Sequence, residues 1–158
     1  MPSLDEVMQK VQRILAQSFS TRLGTDGDFF IDRGSTSCRV FCENWIAIRD
    51  SDGEPTDDHH VLVNLRAPVL FDVPITDELC RWIALEGTLW YFGTPLIFPD
   101  EEGKDGNLYV DHSLLGTFLD SDELKIAVTS VLGRADRLDD ELQGRFGGRR
   151  LSDPSESE

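Results

Sequence analysis

Residues 59–74, HHVLVNLRAPVLFDVP, constrain this chain most. The run is long and apolar, yet it falls short of the roughly 20 residues a membrane-spanning helix needs. It reads as a strand. Pro68 inside it marks a bulge or an edge position, because proline has no N–H to give to a ladder. Such a strand needs neighbours, and the chain supplies them. Upstream, DFFID and SCRVFCENWIAIR flank the turn RGST, so residues from Asp28 to Val73 read as three strands. Downstream, LWYFGTPLIF and GNLYVDH pair as a hairpin across the longer loop PDEEGKDG. Trp90, Phe92, Leu96 and Phe98 alternate along the first of these and are assigned to the core.

Helical periodicity frames the strands. SLDEVMQKVQRILAQSFS places Leu4, Val7, Met8, Val11, Ile14 and Leu15 on one face, and Ser3 with Glu6 forms a capping box. RLGTDGD then breaks the pattern with two glycines. TDELCRWIAL is a short helix with Thr76 as N-cap and two acids at its positive end. The last helix starts at Asp120 or Ser121 and runs to about Phe146. Its apolar face is Leu124, Ala127, Val128, Val131, Ala135, Leu138 and Leu142; Asp136, Asp139, Asp140 and Glu141 turn mostly toward water. Gly147 supplies a left-handed cap, and Arg145, Arg149 and Arg150 answer the negative end of the helix dipole.

The order α-β-β-β-α-β-β-α predicts an α+β domain, an antiparallel sheet of about five strands flanked by helices. A chain of 158 residues needs no disulfide or metal staple to hold it. The domain is drawn at residues 1–148, with residues 149–158 a disordered polar tail. Cys38, Cys42 and Cys80 are an odd number and read as reduced. The amino terminus has acids and no apolar core of a signal peptide, so a cytoplasmic location is expected.

Thirty acidic residues stand against 15 Lys and Arg, a formal net charge of −15. Such a field repels nucleic acid and anionic membrane and attracts a basic partner. In the loop DSDGEPTDD no base matches Asp50, Asp52, Glu54, Asp57 or Asp58. Its glycine, and those of PDEEGKDG, fall at the wrong positions for a calcium loop, so solvated acidic loops are expected.

Catalytic patterns are equally thin. Asp111, His112 and Ser113 have triad residue types, but consecutive strand residues alternate faces and do not converge. His59 and His60 face opposite ways for the same reason. No catalytic residue, metal or cofactor is expected. Binding remains: Arg39, Phe41, Glu43 and Trp45 share one strand face, aromatics mixed with charge. Phe41 and Trp45 either receive an apolar segment of a partner or pack under the acidic loop.

LRAPVLFDVPITDELCRWIA, YFGTPLIFPDEEG, HSLLGTFLDSDEL and ADRLDDELQGRFGG resemble the actinobacterial YbjN-type proteins grouped as TY-Chap domains. The resemblance runs from about residue 4 to residue 148. It implies a secretion-chaperone-like fold and a non-enzymatic chaperone or adaptor for a segment of another polypeptide, a basic or secreted client. Capture by sheet-edge addition or in a helix groove is expected. It also implies a homodimer, because related chaperones dimerise. Two alternatives stand beside it: a regulatory interaction module in signalling or envelope stress, and a hydrolase assembled from distant residues such as His112 and Cys38.

Overall fold

The computed structural model describes residues 1–46, 50–54, 59–87 and 90–154. The chain runs α1 (Leu4–Ser18), β1 (Arg22–Leu23), β2 (Phe29–Arg33), β3 (Thr36–Ile46), β4 (His59–Pro74), α2 (Asp77–Leu85), β5 (Thr94–Pro99), β6 (Asp105–Leu115) and α3 (Ser121–Phe146). Expected features at residues 47–49, 55–58, 88–89 and 155–158 lie outside the described residues.

The long apolar strand is the spine. β4 pairs with β3 along His59–Arg66 and with β6 along Leu62–Pro74, in a sheet ordered β1-β2-β3-β4-β6-β5. Every neighbouring pair is antiparallel. The β4–β6 register shifts between Pro68 and Leu70, so the proline sits at a bulge, where a missing N–H costs the ladder least. The hydroxyl of Thr36 donates to the Pro68 carbonyl at 2.8 Å.

The sheet has six strands rather than about five. The extra one, β1, lies in the glycine-broken segment after α1 and pairs Arg22 with Phe30 and Leu23 with Phe29. Two residues offer no alternation to read, so only tertiary pairing defines it. The hairpin strand also starts later than expected, at Thr94, after Gly93 turns at φ 81°.

α1 and α3 lie across one face of the sheet, and α2 packs beside the carboxyl-terminal half of α3. Ser3 and Glu6 close the capping box on α1, and Val7, Val11, Ile14 and Leu15 are buried. Gly116 lets α1 approach the sheet: a Cβ there would stand 2.6 Å from Val7 Cγ1 and 3.0 Å from the Val61 carbonyl. Thr76 caps α2 by accepting from Leu79 N–H at 3.2 Å. α3 has 26 residues, about 39 Å of helix, and all seven expected apolar positions are buried.

Two side-chain expectations fail. Leu96 and Phe98 are 39% and 41% exposed, on the face opposite the helices, whereas Trp90 and Phe92 do pack against the core. Alternation separates the two faces of an edge strand without saying which face is covered. Asp139 is 1% exposed instead of solvated, because the β2–β3 turn closes over that part of α3.

α3 ends at Gly147, which has φ 78° and ψ −155° and whose N–H bonds to the Gln143 carbonyl at 3.0 Å. The positive φ is as expected; the extended ψ differs from a left-handed helical cap. The arginines do more than answer a dipole. Arg145 pairs with Glu78 at 3.0 Å, and Arg150 with Asp140 and Asp153. Arg149, the first residue beyond the boundary drawn at residue 148, exchanges two backbone hydrogen bonds with Phe71. No described helix is long and apolar enough to cross a membrane.

Candidate functional site

No described helix covers the second face of the sheet. Strand alternation sends Arg39, Phe41, Glu43 and Trp45 of β3 to it, opposite His60, Leu62, Asn64 and Arg66 of β4. Tyr109 of β6 and Leu96 and Phe98 of β5 join them. Apart from Asn64, which is buried and bonded to Glu43 and Ser113, this face is half-buried to exposed, while Cys38, Val40, Val63 and Leu65 on the other are buried.

Arginines and rings alternate across it. The guanidinium of Arg22 stands 4.7 Å from the Phe30 ring centre and that of Arg39 4.7 Å from Phe41. Arg66 is surrounded by Phe98 at 4.7 Å, Phe41 at 5.6 Å and Tyr109 at 5.9 Å. Phe98 and Tyr109 meet edge to face at 5.6 Å. Arg39 and Arg66 are directly opposite in the β3–β4 register, a repulsive placement on its own. Carboxylates offset it: Asp28 accepts from Arg39 Nε at 2.6 Å, and Asp111 accepts from Arg66 at 2.7 Å. Each cation–ring contact adds about 0.5–1 kcal/mol where exposed.

These residues line a groove of about 380 Å³. Arg22, Arg39 and Arg66 supply its charge, and Phe30, Phe98 and Tyr109 its apolar walls; Leu151 enters from outside the sheet. Burial raises the pKa of the Tyr109 hydroxyl, against the lowering pull of Arg66 and Arg39. Ser37 Oγ and Arg66 Nε are buried without a hydrogen-bond partner among the described residues. Such atoms cost about 1–3 kcal/mol each until an acceptor reaches them.

Phe41 and Trp45 share this face but not one spot. Phe41 is half-buried between Arg39 and Arg66, part of the groove's support. Trp45 is 43% exposed at the far end of β3, its ring 6.4 Å from that of His60. Sequence reasoning missed Arg66, Tyr109 and Phe98. An arginine inside the apolar run of β4 was the available signal for the first, since burying it demands partners.

The remaining candidates do not assemble. Asp111 and Ser113 point to the helix-free face and His112 to the other, where its Nδ1 accepts from Gly93 N–H at 3.4 Å and its ring meets Phe92. Burial lowers the His112 pKa, opposed by Asp111 and Glu123. Cys38 and His112 lie on strands that flank β4, two residues out of register. Burial pushes the Cys38 thiol up to about 12 and Cys42 to about 11, so neither is a thiolate nucleophile at neutral pH. Among the described residues no three His, Cys, Asp or Glu side chains gather to hold a metal ion.

Compared with known proteins, residues 5–154 match the model of one family, TY-Chap1, described as "T3SS (YopN, CesT) and YbjN peptide-binding chaperone 1". No curated protein matches the chain.

Proposed function

The chain belongs to the TY-Chap1 family of peptide-binding chaperones, and from that premise we propose that it is a non-enzymatic chaperone or adaptor whose helix-free sheet face seats a segment of a partner polypeptide. One observation carries the reading: a face of arginines, rings and leucines without a covering helix, beside a fully packed opposite face. The rings and leucines offer apolar surface to a client side chain, worth about 25 cal/mol for each Å² taken from water. The guanidinium groups offer donors to client carbonyls or carboxylates. Phe41 supports the groove through Arg39 and Arg66, Trp45 extends the surface along β3, and Phe98 and Tyr109 form the wall.

An array of short synthetic peptides, probed with the purified chain, identifies binders without assuming their sequence. Those binders are then titrated against Phe98→Glu and Trp45→Glu. Both substitutions are at sites about two-fifths exposed, so they leave the core intact. At least tenfold weaker binding by Phe98→Glu is expected, and a smaller loss by Trp45→Glu. Binders that ignore both substitutions would place the client elsewhere and defeat the reading.

A further inference from the structure

The segment after α3 crosses from the covered side of the sheet to the groove. Gly147 and Gly148, both at positive φ, turn the chain. Arg149 then adds to β4 as a one-residue antiparallel strand: Phe71 N–H donates to the Arg149 carbonyl at 2.7 Å, and Arg149 N–H to the Phe71 carbonyl at 2.8 Å. It does so beyond Arg66, the last β4 residue that β3 pairs, where no other described strand takes that edge at Phe71. The Arg149 guanidinium lies over the Phe71 ring at 5.1 Å. Arg150 anchors the next step, donating its N–H to Asp153 at 2.9 Å while its guanidinium holds the Asp140 and Asp153 carboxylates. That pairing leaves Leu151 as the side chain that lines the groove with Arg22, Arg39, Arg66, Phe98 and Tyr109.

The combination is that of a peptide ligand: backbone addition to a strand edge, with one aliphatic side chain set into an apolar groove. The hold is shallow, since Leu151 remains 44% exposed. We propose that residues 149–153 are a resident, displaceable occupant of the groove, with Leu151 taking the place of a client's apolar side chain. This rests on the assignment of the helix-free face as the client site. A tethered occupant presents itself at an effective concentration of order mM, so even a weak seat lowers the apparent affinity for a client. The groove's charge comes from Arg22, Arg39 and Arg66, and Asp153, held by Arg150 and Gln143, does not answer it. The client that displaces it best therefore pairs an aliphatic side chain with carboxylates.

The test uses the full chain and its Leu151→Ala variant. The probe is a fluorescent peptide reproducing residues 147–154, added in trans and followed by anisotropy; a second probe has alanine at the leucine position. Leu151→Ala is expected to bind the first probe at least about threefold more tightly than the unsubstituted chain, and the second probe weakly. Equal affinity of the two chains for the first probe, or no binding by either, overturns the proposal. A lower melting temperature for Leu151→Ala with equal affinities assigns the leucine to the fold alone. None of these results touches the helix-free-face assignment, which stands or falls on Phe98→Glu and Trp45→Glu with array-selected peptides.

Discussion

Gly147 and Asp139 show what single residues decide here. Gly147 has φ 78° and ψ −155°, a conformation that is essentially glycine's own, and nothing lies within 4 Å of the position a Cβ would take. The cost of Gly147→Val is therefore a backbone cost, about 1–3 kcal/mol, read as a drop of several degrees in melting temperature. An unchanged melting temperature would remove its helix-ending role. Asp139 is the opposite case, an acid with its solvent removed. Burial raises its pKa, Ser35 opposes that, and Asp136 and Asp140 add repulsion. Ser35 lies within hydrogen-bond reach of both Asp136 and Asp139, yet it has one hydroxyl proton to share. A protonated Asp139 donates to Ser35 Oγ, which donates on to Asp136. In the window between the ordinary carboxyl value and the raised one, the folded chain binds more protons than the unfolded chain. This contribution is thus fully present below the ordinary value and is lost as pH rises through the raised one. Asp139→Asn keeps a donor and loses the charge. Its melting temperature, relative to the unsubstituted chain, should climb as pH increases from about 4 to 7; a flat difference would refute the shared-proton arrangement. The run ADRLDDELQG carries no hint of this, because Asp139 is buried by a turn 104 residues away in the chain.

At the scale of elements, local chemistry is legible in the sequence and coverage is not. Ser3 with Glu6, Thr76 and Asp120 cap their helices because the required oxygen sits at the required spacing in sequence. Alternation likewise placed Arg39, Phe41, Glu43 and Trp45 together, and that face became the candidate site. But alternation is symmetric. Nothing in TPLIFP says whether Pro95 and Ile97 or Leu96 and Phe98 face the covered side; the register with β6, whose Val110 and Leu108 are buried, decides it. β1 was invisible for a related reason, since its two residues form a strand only because β2 is there to pair them. The asymmetry between faces is measurable. Leu65→Ala, on the covered face at 0% exposure, should cost about 2–5 kcal/mol in urea unfolding. Phe98→Ser, on the helix-free face, should cost about 1 kcal/mol, close to the worth of its ring contact with Tyr109. Comparable costs would mean that the second face is core and not a surface for clients.

For the whole molecule, the question is whether net charge or local lining chooses the ligand. A chain of charge −15 attracts basic peptides at long range, yet the groove is lined by Arg22, Arg39 and Arg66. The two effects separate by distance. The long-range field is screened over about 10 Å at 0.1 M salt and about 3 Å at 1 M, whereas contacts inside a half-buried groove are screened much less. Association rates report the first and dissociation rates the second. For an acidic peptide seated among the arginines, added salt should speed association, because it removes repulsion from the rest of the chain, and should change dissociation little. Arg22→Gln, whose side chain is 60% exposed and pairs loosely with Asp32 at 3.5 Å, should then speed dissociation without disturbing the fold. A basic peptide drawn in by the acidic loops should show the reverse on association, slowing as salt rises. Stopped-flow mixing of both peptide types over a salt series distinguishes them. If only basic peptides bind, and Arg22→Gln leaves their dissociation unchanged, the net charge selects the partner and the arginines serve the sheet alone.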